Sequence, residues 1–523
     1  MLLVSQDPES SRFLICRSSD FQQTIQYTRV LESLGGLWKP VLRGWRIPNI
    51  LFNRLILSHY FEIEEDLPEE KSSLTFYDRA MLQVDGLFPF QIDAVDHLVS
   101  SPLPGNLLSL SPGLGKSAVA LKAAFLLEFR RVLIVCPRSL VKTWQRESLR
   151  WLNREISDCY SSEPEGDWVV TTYETLRGQY RDSYFSKDWD LLVVDESSRL
   201  ISRKTLGWKV FRDFRRKHLG KMWALSGTPV RHFVDDLWGQ FSLLFPEAFR
   251  SYWRFVSLFC DTDTTIWGTR ILGSKAGIDF QGLFKDILYV VNSKDVLNLP
   301  EASIETLEVP LSFRQNTAYQ EMLSTFMTSL ESGDIEAKSR LSQMLRLLQI
   351  TSSLATLSDI EVDSSKHDAL CELISEEMID YPVLIWAHWR EGAEQLKIRL
   401  EELGESPLIL LGGHESPDSV VESFKSGDSR ILIMSPGVGK YGLTLTNIKT
   451  MIYLDKTFDM EAYIQTMYRF KRIGLEHSVR VISLVSPGTI DELVSDNLAT
   501  KAFDIHKISN EDLLSLLRSL NRE

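Results

Sequence analysis

The chain has 523 residues, 44% of them apolar and 25% charged, with a net charge of −13. Such proportions belong to an ordinary globular protein with room for two to four domains. No apolar run is long enough to cross a bilayer and no basic-then-apolar leader opens the chain, so the expectation is a soluble protein without membrane partners. Five cysteines (Cys16, Cys136, Cys159, Cys260 and Cys371) form no CxxC pair, which argues against a zinc site and a disulfide framework.

Charge is unevenly distributed. Residues 12–56 carry seven Lys/Arg and two Asp/Glu, a local net of +5, and six carboxylates then crowd between Glu62 and Glu70. This predicts a small N-terminal domain over residues 1–60 closed by a solvated acidic linker over 61–85. From Gly86, the short apolar runs "VLIVC", "WVVTTY", "LLVVDE" and "MWALSG" alternate with helical patterns. Alternation of this kind argues for a parallel sheet covered by helices, here a first lobe over 86–250. Residues 251–300 read as an aromatic-rich, irregular insertion. A second alternating block, with "PVLIWAH", "PLILLGG", "RILIMSP", "TMIYLD" and "VRVISLV", predicts a second lobe over 301–500. A helical protrusion is expected at about 313–375 and a C-terminal helix over 501–523. The fold class is α/β: two parallel-sheet lobes with helical insertions plus a small α+β N-terminal domain.

Two stretches carry chemistry. "LSPGLGKS" (Leu110–Ser117) follows an apolar run and precedes a helical pattern. Gly113, Gly115, Lys116 and Ser117 fit a phosphate-binding loop, in which backbone N–H groups wrap phosphates, the lysine reaches the terminal oxygens and the hydroxyl holds Mg²⁺. Leu110 stands where that pattern has its first glycine. "LLVVDESS" ends an apolar strand on Asp195 and Glu196. A carboxylate at a strand's C-terminal end is suited to hold Mg²⁺, and its neighbour to orient or deprotonate an attacking water. Together the two stretches point to nucleotide hydrolysis with Mg²⁺.

With "GLFPFQIDAV", "LIVCPRSLVKTW", "VVTTYETLR", "ALSGTPV", "SPGVGKYGLTLT" and "QTMYRFKRIG" in order, the chain resembles a superfamily 2 helicase or translocase of the Swi/Snf-like branch over about residues 86–495. The resemblance implies two RecA-like lobes and a DNA-dependent ATPase. It implies that Gln91 reads the adenine edge, that Leu114 belongs to the phosphate loop, and that Gln465, Arg469 and Arg472 serve the γ-phosphate. The last three share a helix face by their spacing. It implies backbone contacts to DNA from Arg138, Ser139, Thr172, His388, Trp389, Gly442 and Thr444. Departures are Ser198 for the usual histidine, Ser111-Pro112 before the loop glycine, Leu475 after "RIG", and Asn292-Ser293 before Lys294. They leave the hydrolytic core intact, mark a divergent member, and leave open how tightly hydrolysis is coupled to DNA.

Two basic stretches add candidates for nucleic acid. Between Arg199 and Lys221 nine Lys/Arg meet one acid, Asp213, a set able to contact several phosphates or to form a solvated helix face. "LGGLWKPVLRGWRIP" holds Trp38, Lys39, Arg43, Trp45 and Arg46, which suit either base stacking beside phosphates or a small core. It is also similar to the substrate-recognition module of HARP-type annealing helicases. The expected function is therefore an ATP-dependent translocase, acting as a monomer, that remodels branched DNA such as forks and four-way junctions. A cytoplasmic location is expected in a bacterial or phage-infected cell, and a nuclear one only in a eukaryote. Alternatives are a restriction, defence or chromatin-type motor, an RNA helicase, or an ATP-gated clamp with negligible turnover.

Overall fold

Short runs of valine, leucine and isoleucine can be buried on both faces only inside a sheet covered on both sides, and the structure puts them there. It is a computed structural model that describes residues 2–6, 13–18, 31, 37–39, 44–48 and 74–498, the last range apart from 219, 266–267, 297–299, 301, 331–332, 361, 380, 413–416, 439–444, 446, 469–474 and 476. The chain divides into two compact units between Asn292 and Ser293.

The first unit opens with an antiparallel sheet of β1 (Leu2–Gln6), β2 (Phe13–Ser18), β3 (Leu37–Lys39) and β4 (Gly44–Pro48), in the order β1-β2-β4-β3. Cys16 and Trp38 both stand opposite Trp45 in the register. The unit's main sheet has seven parallel strands: β5 (Gly105–Leu110), β6 (Val132–Cys136), β7 (Ser157–Asp158), β8 (Trp168–Thr172), β9 (Leu191–Asp195), β10 (Lys221–Ser226) and, after the β11 (Cys260–Thr265) and β12 (Gly268–Ser274) hairpin, β13 (Leu288–Val291). Their order is β13-β5-β10-β9-β6-β8-β7. Every residue of β5, β6, β8 and β9 is buried. β5, β10 and β9 are consecutive neighbours, with Ser226 opposite Ser109 and Leu225 opposite Asp195. The loops that leave their C-terminal ends therefore share one edge of the sheet, the edge where open α/β sheets bind ligands.

Residues 251–292 are more regular than their sequence suggests. Phe255, Phe259, Phe280 and Phe284 of this segment pack ring to ring, and they join Phe249 and Phe241 before it in one aromatic core. β13 then pairs with β5 and extends the main sheet.

The second unit holds a six-stranded parallel sheet: β14 (Ser303–Glu308), β17 (Val383–Trp386), β18 (Leu408–Leu410), β19 (Ile431–Met434), β20 (Thr450–Tyr453) and β21 (Arg480–Val485), in the order β14-β21-β20-β17-β19-β18. Val383, Ile385, Ile431, Ile433, Ile452 and Ile482 pack against Leu370, Ile374, Leu396 and Leu400 of flanking helices. The stretch 313–375 is helical over Phe313–Thr325, Arg340–Ser352 and Ser365–Glu376. A hairpin of β15 (Met327–Leu330) and β16 (Gly333–Glu336) interrupts it. The interruption has a local cause: Phe326 at φ 61° ends the first helix, and Met327–Leu330 alternates exposed and buried positions, the period of a strand. Among the described residues no helix is long and apolar enough to cross a membrane.

Candidate functional site

The phosphate-loop candidate leaves β5 at Leu110. Ser111 accepts a turn bond from Leu114 N at 3.1 Å, and the helix Lys116–Leu126 starts immediately beyond, capped by Gly115 in the left-handed region at φ +81°. A non-glycine residue is strained there. Lys116 Nζ turns back to donate to the Leu110 carbonyl at 3.1 Å, so the ammonium lies inside the loop it would share with a phosphate. Helix N-terminal amides and this ammonium suit an anion. Gln91, in the helix Pro89–Ser100, is 4% exposed. Its Oε1 accepts from Phe88 N at 2.9 Å and its Nε2 donates to the Leu114 carbonyl at 2.9 Å. The amide thus braces the loop from behind.

The carboxylate pair stands at the end of β9. Asp195 is 5% exposed. Trp144 Nε1 donates to its Oδ2 at 2.9 Å and Glu196 N to its Oδ1 at 2.9 Å. Tyr173 holds the strand end by donating its hydroxyl to the Asp195 carbonyl at 2.6 Å. Burial pushes the Asp195 carboxyl above the usual carboxylate range, while Lys116 and the Trp144 bond pull it down. That opposition marks a group suited to a cationic partner. Glu196 follows at φ 52°, ψ 49°, a left-handed conformation that costs a non-glycine residue about 1 kcal/mol or more. The half-buried Glu196 thereby turns out of the strand direction.

The donor set fits Mg²⁺. Among the described residues no three His, Cys, Asp or Glu cluster to hold an ion by themselves. The Ser117 hydroxyl and the Asp195 carboxylate are two hard oxygen donors, and an ion that keeps waters and takes phosphate oxygens needs no more from the protein.

Other candidates fare unevenly. Thr172 is 2% exposed, and its Oγ1 caps the helix Tyr173–Arg177 by accepting from Thr175 N at 3.2 Å. Arg138 is exposed over the Tyr160 ring at 4.9 Å, and Ser139 beside it is half-buried; both remain accessible at the end of β6. Trp45 is 8% exposed. A ring buried in the N-terminal sheet cannot stack on bases, so the core reading holds for it. Trp38 and Lys39 lie on β3 and Arg46 on β4; Arg43 lies outside the described residues.

In the second unit Gln465 is buried on the helix Met460–Met467. His388 and Trp389 follow β17, their rings 4.8 Å apart, with His388 exposed and its backbone N–H donating to Asp455 Oδ2 at 3.2 Å. Arg469, Arg472, Gly442 and Thr444 lie outside the described residues.

The basic run 199–221 offers fewer free charges than its count. Arg203 lies over the Tyr252 ring, Arg212 pairs with Asp213, Lys221 donates to the Ser101 carbonyl, and buried Arg215 donates to the carbonyls of Leu243, His218 and Gly220. Lys204, Lys209, Arg216 and Lys217 remain exposed.

Trp144 and Tyr173 are the site residues that sequence reasoning missed. Both stand inside stretches it singled out, but nothing in the spacing tells which ring meets Asp195.

Known proteins resemble this chain over most of its length. The SNF2-related domain matches residues 45–356 and the helicase conserved C-terminal domain residues 365–474. The chain is 25% identical over 503 residues to chromodomain-helicase-DNA-binding protein 1-like of Danio rerio, covering 87% of this chain and 47% of that protein. It is 26% identical to YwqA of Bacillus subtilis (84% and 49% covered). It is 23% identical to the human SWI/SNF-related matrix-associated actin-dependent regulator of chromatin subfamily A member 1 (79% and 42% covered). The chain thus spans under half the length of these curated relatives. Among solved structures, the Sulfolobus solfataricus SWI2/SNF2 ATPase core in complex with dsDNA pairs with it at 23% identity and TM-score 0.38, covering 83% of this chain and 95% of that one. With the domain match spanning more than half of its residues, the chain belongs to the SNF2-related family.

Proposed function

We propose that the chain is an ATP-dependent DNA translocase that remodels branched DNA. The observation that carries the ATPase reading is the neighbourhood of Lys116 and Asp195-Glu196, brought to one sheet edge by the strand order β5-β10-β9. Lys116 and the amides at the start of its helix bind the β- and γ-phosphates of ATP. Ser117 and Asp195 would hold Mg²⁺, which would neutralise charge on the phosphate oxygens. Asp195 is kept in orientation by Trp144. Glu196, turned out of its strand, orients the attacking water and accepts its proton. The finer reading, on forks and four-way junctions, rests on the basic N-terminal stretch and its aromatic pattern; Arg138, Ser139, His388 and Trp389 are the candidates for backbone contact.

The test is ATP turnover with single-stranded DNA, linear duplex, a fork and a four-way junction side by side. Stimulation greatest with the branched substrates supports the proposal. No stimulation by any DNA removes it in favour of a clamp or an RNA-dependent enzyme. A second reading, a chromatin-type motor, is favoured by the names of the relatives. Nucleosomal DNA that stimulates more than naked duplex and junctions decides for it.

A further inference from the structure

One buried amide near the site belongs to none of the sequence motifs. Gln240 lies in the helix Asp236–Leu244 and is 2% exposed, among the buried Leu237, Phe241, Leu243 and Leu244. Its Oε1 accepts from the Ser197 hydroxyl at 2.7 Å, and its Nε2 donates to the Pro229 carbonyl at 2.7 Å. Ser197 is the residue after Glu196. Pro229 closes the loop Ser226–Pro229 that leaves β10. A second tie runs alongside: Arg231 Nη2 donates to Ser198 Oγ at 3.2 Å. At its other end the Ser226–Pro229 loop packs on the phosphate loop, where a Cβ built on Gly227 would come within 2.8 Å of Pro112 Cγ. The helix itself is fixed in place by Trp208 Nε1, which donates to the Gly239 carbonyl at 2.8 Å.

A contact chain therefore runs from Pro112 through Gly227 and Pro229 to Gln240, Ser197 and Glu196. We propose that Gln240 is a positioning residue that ties the Ser226–Pro229 loop to the turn carrying Glu196, so that a shift of the phosphate loop is passed to the carboxylate. A leucine would fill the same apolar space. Only an amide holds an acceptor on one side and a donor on the other, and both bonds survive only within a few tenths of an ångström. Glu196 needs such a hold, because its left-handed backbone has to be kept by its surroundings. The proposal rests on the reading of Lys116, Asp195 and Glu196 as an ATP-hydrolysing site.

The experiment compares the parent full-length chain with Gln240→Leu, Gln240→Glu, Ser197→Ala and the Ser197→Ala/Gln240→Leu double variant. The readouts are affinity for a fluorescent ATP analogue, kcat at saturating ATP with and without DNA, and Tm. For Gln240→Leu, kcat should fall roughly 10- to 100-fold, the size of a small misplacement of a reacting group, while nucleotide affinity stays within about 2-fold. Gln240→Glu keeps the shape of the side chain and an acceptor for Ser197 but, when ionised, has no donor for Pro229, so turnover above neutral pH should fall in the same way. The double variant should be no worse than Gln240→Leu, because both changes break one connection. An active parent whose Gln240 variants keep kcat, whatever their Tm, overturns the coupling alone. A parent that hydrolyses no ATP on any DNA overturns the reading on which it rests.

Discussion

Gln91 Nε2 occupies the space in which a side chain on Gly115 would begin: a Cβ built there would overlap it. The same amide nitrogen donates to the Leu114 carbonyl. Gly115→Ala therefore meets two obstacles, a displaced brace and an L-residue at φ +81°. ATP affinity should fall at least about tenfold, roughly 1.4 kcal/mol, as read by fluorescent-nucleotide titration. Affinity equal to the parent's would mean that the loop adapts and the contact is incidental.

The brace also predicts how Gln91→Ala behaves. An adenine-reading residue affects ATP alone, whereas a loop-positioning one affects any nucleoside triphosphate. Turnover of GTP should fall along with that of ATP, each by about tenfold for a loosened phosphate loop. GTP turnover that is untouched while ATP turnover drops would confine Gln91 to the base.

Lys116 and Glu196 should separate binding from chemistry. Lys116→Ala removes the charge inside the loop and should abolish both nucleotide binding and hydrolysis. Glu196→Gln keeps the shape of the side chain, removes the base, and should bind ATP normally while kcat falls by about 100-fold or more. Substantial turnover by the glutamine variant takes Glu196 out of the mechanism.

Much of this site was legible because its chemistry is local. Gly113, Gly115, Lys116 and Ser117 stand together in the chain, and the strands "LLVVDE" and "MWALSG" identify themselves by composition. What stayed hidden is what tertiary packing decides. No spacing reveals that Trp144 points at Asp195, that Gln240 bridges Ser197 and Pro229, or that Arg215 is enclosed by three carbonyls. The burial of Thr172 and Trp45 was hidden for the same reason: a threonine in a motif and a tryptophan among arginines look alike in sequence whether they face solvent or core. The hairpin at 327–336 escaped because two four-residue strands are too short to stand out from the helical patterns on either side.

Trp45 lies in the sheet interior opposite Cys16. Trp45→Ala should remove about 3–5 kcal/mol from the N-terminal sheet, more than so small a sheet can spare. The expected sign is rapid proteolysis within the first 70 residues, with DNA-independent ATP turnover retained. Arg46→Ala should leave protease resistance intact and, if the N-terminal region grips DNA, weaken junction binding in a salt-dependent way. A Trp45→Ala protein as protease-resistant as the parent would contradict the core assignment.

His367 provides a pH-dependent test. It is fully buried, neither ring nitrogen has a hydrogen-bond partner, and burial with Arg399 and Lys366 nearby pushes its pKa from 6.5 to about 3. Between those values the unfolded chain takes up a proton that the folded chain refuses. Stability is thus fully present above about pH 6.5 and falls as pH drops through the window, by about 1.4 kcal/mol per unit where the two states differ by one proton. His367→Leu should flatten that slope in urea unfolding measured between about pH 4 and pH 7. An unchanged slope would assign the acid sensitivity to other groups.

Lys456 presents the same charge problem at higher pH. It follows Asp455 at the end of β20, and its ammonium is enclosed without a hydrogen-bond partner, 5.8 Å from the Tyr453 ring centre and 5.6 Å from that of Tyr463. The nearby Asp491 is already engaged by Lys366 at 2.7 Å. Burial lowers the Lys456 pKa from 10.5 to about 7, with Asp491 opposing the shift and Lys366 adding to it. Between those two values the unfolded chain keeps a proton that the folded chain has released, so stability should rise as pH rises from about 7 toward 10. Lys456→Met retains the stem, removes the charge and abolishes that dependence. At pH 7 it should stabilise the protein by roughly 2–4 kcal/mol, given about 1.4 kcal/mol per pKa unit. Urea midpoints of parent and variant at about pH 7 and pH 9.5 provide the comparison. The variant should lead at the lower pH, and the gap should narrow at the higher one. A methionine variant that is less stable than the parent at pH 7 would mean that the ring faces of Tyr453 and Tyr463 hold Lys456 as a cation, and that its charge contributes to the fold.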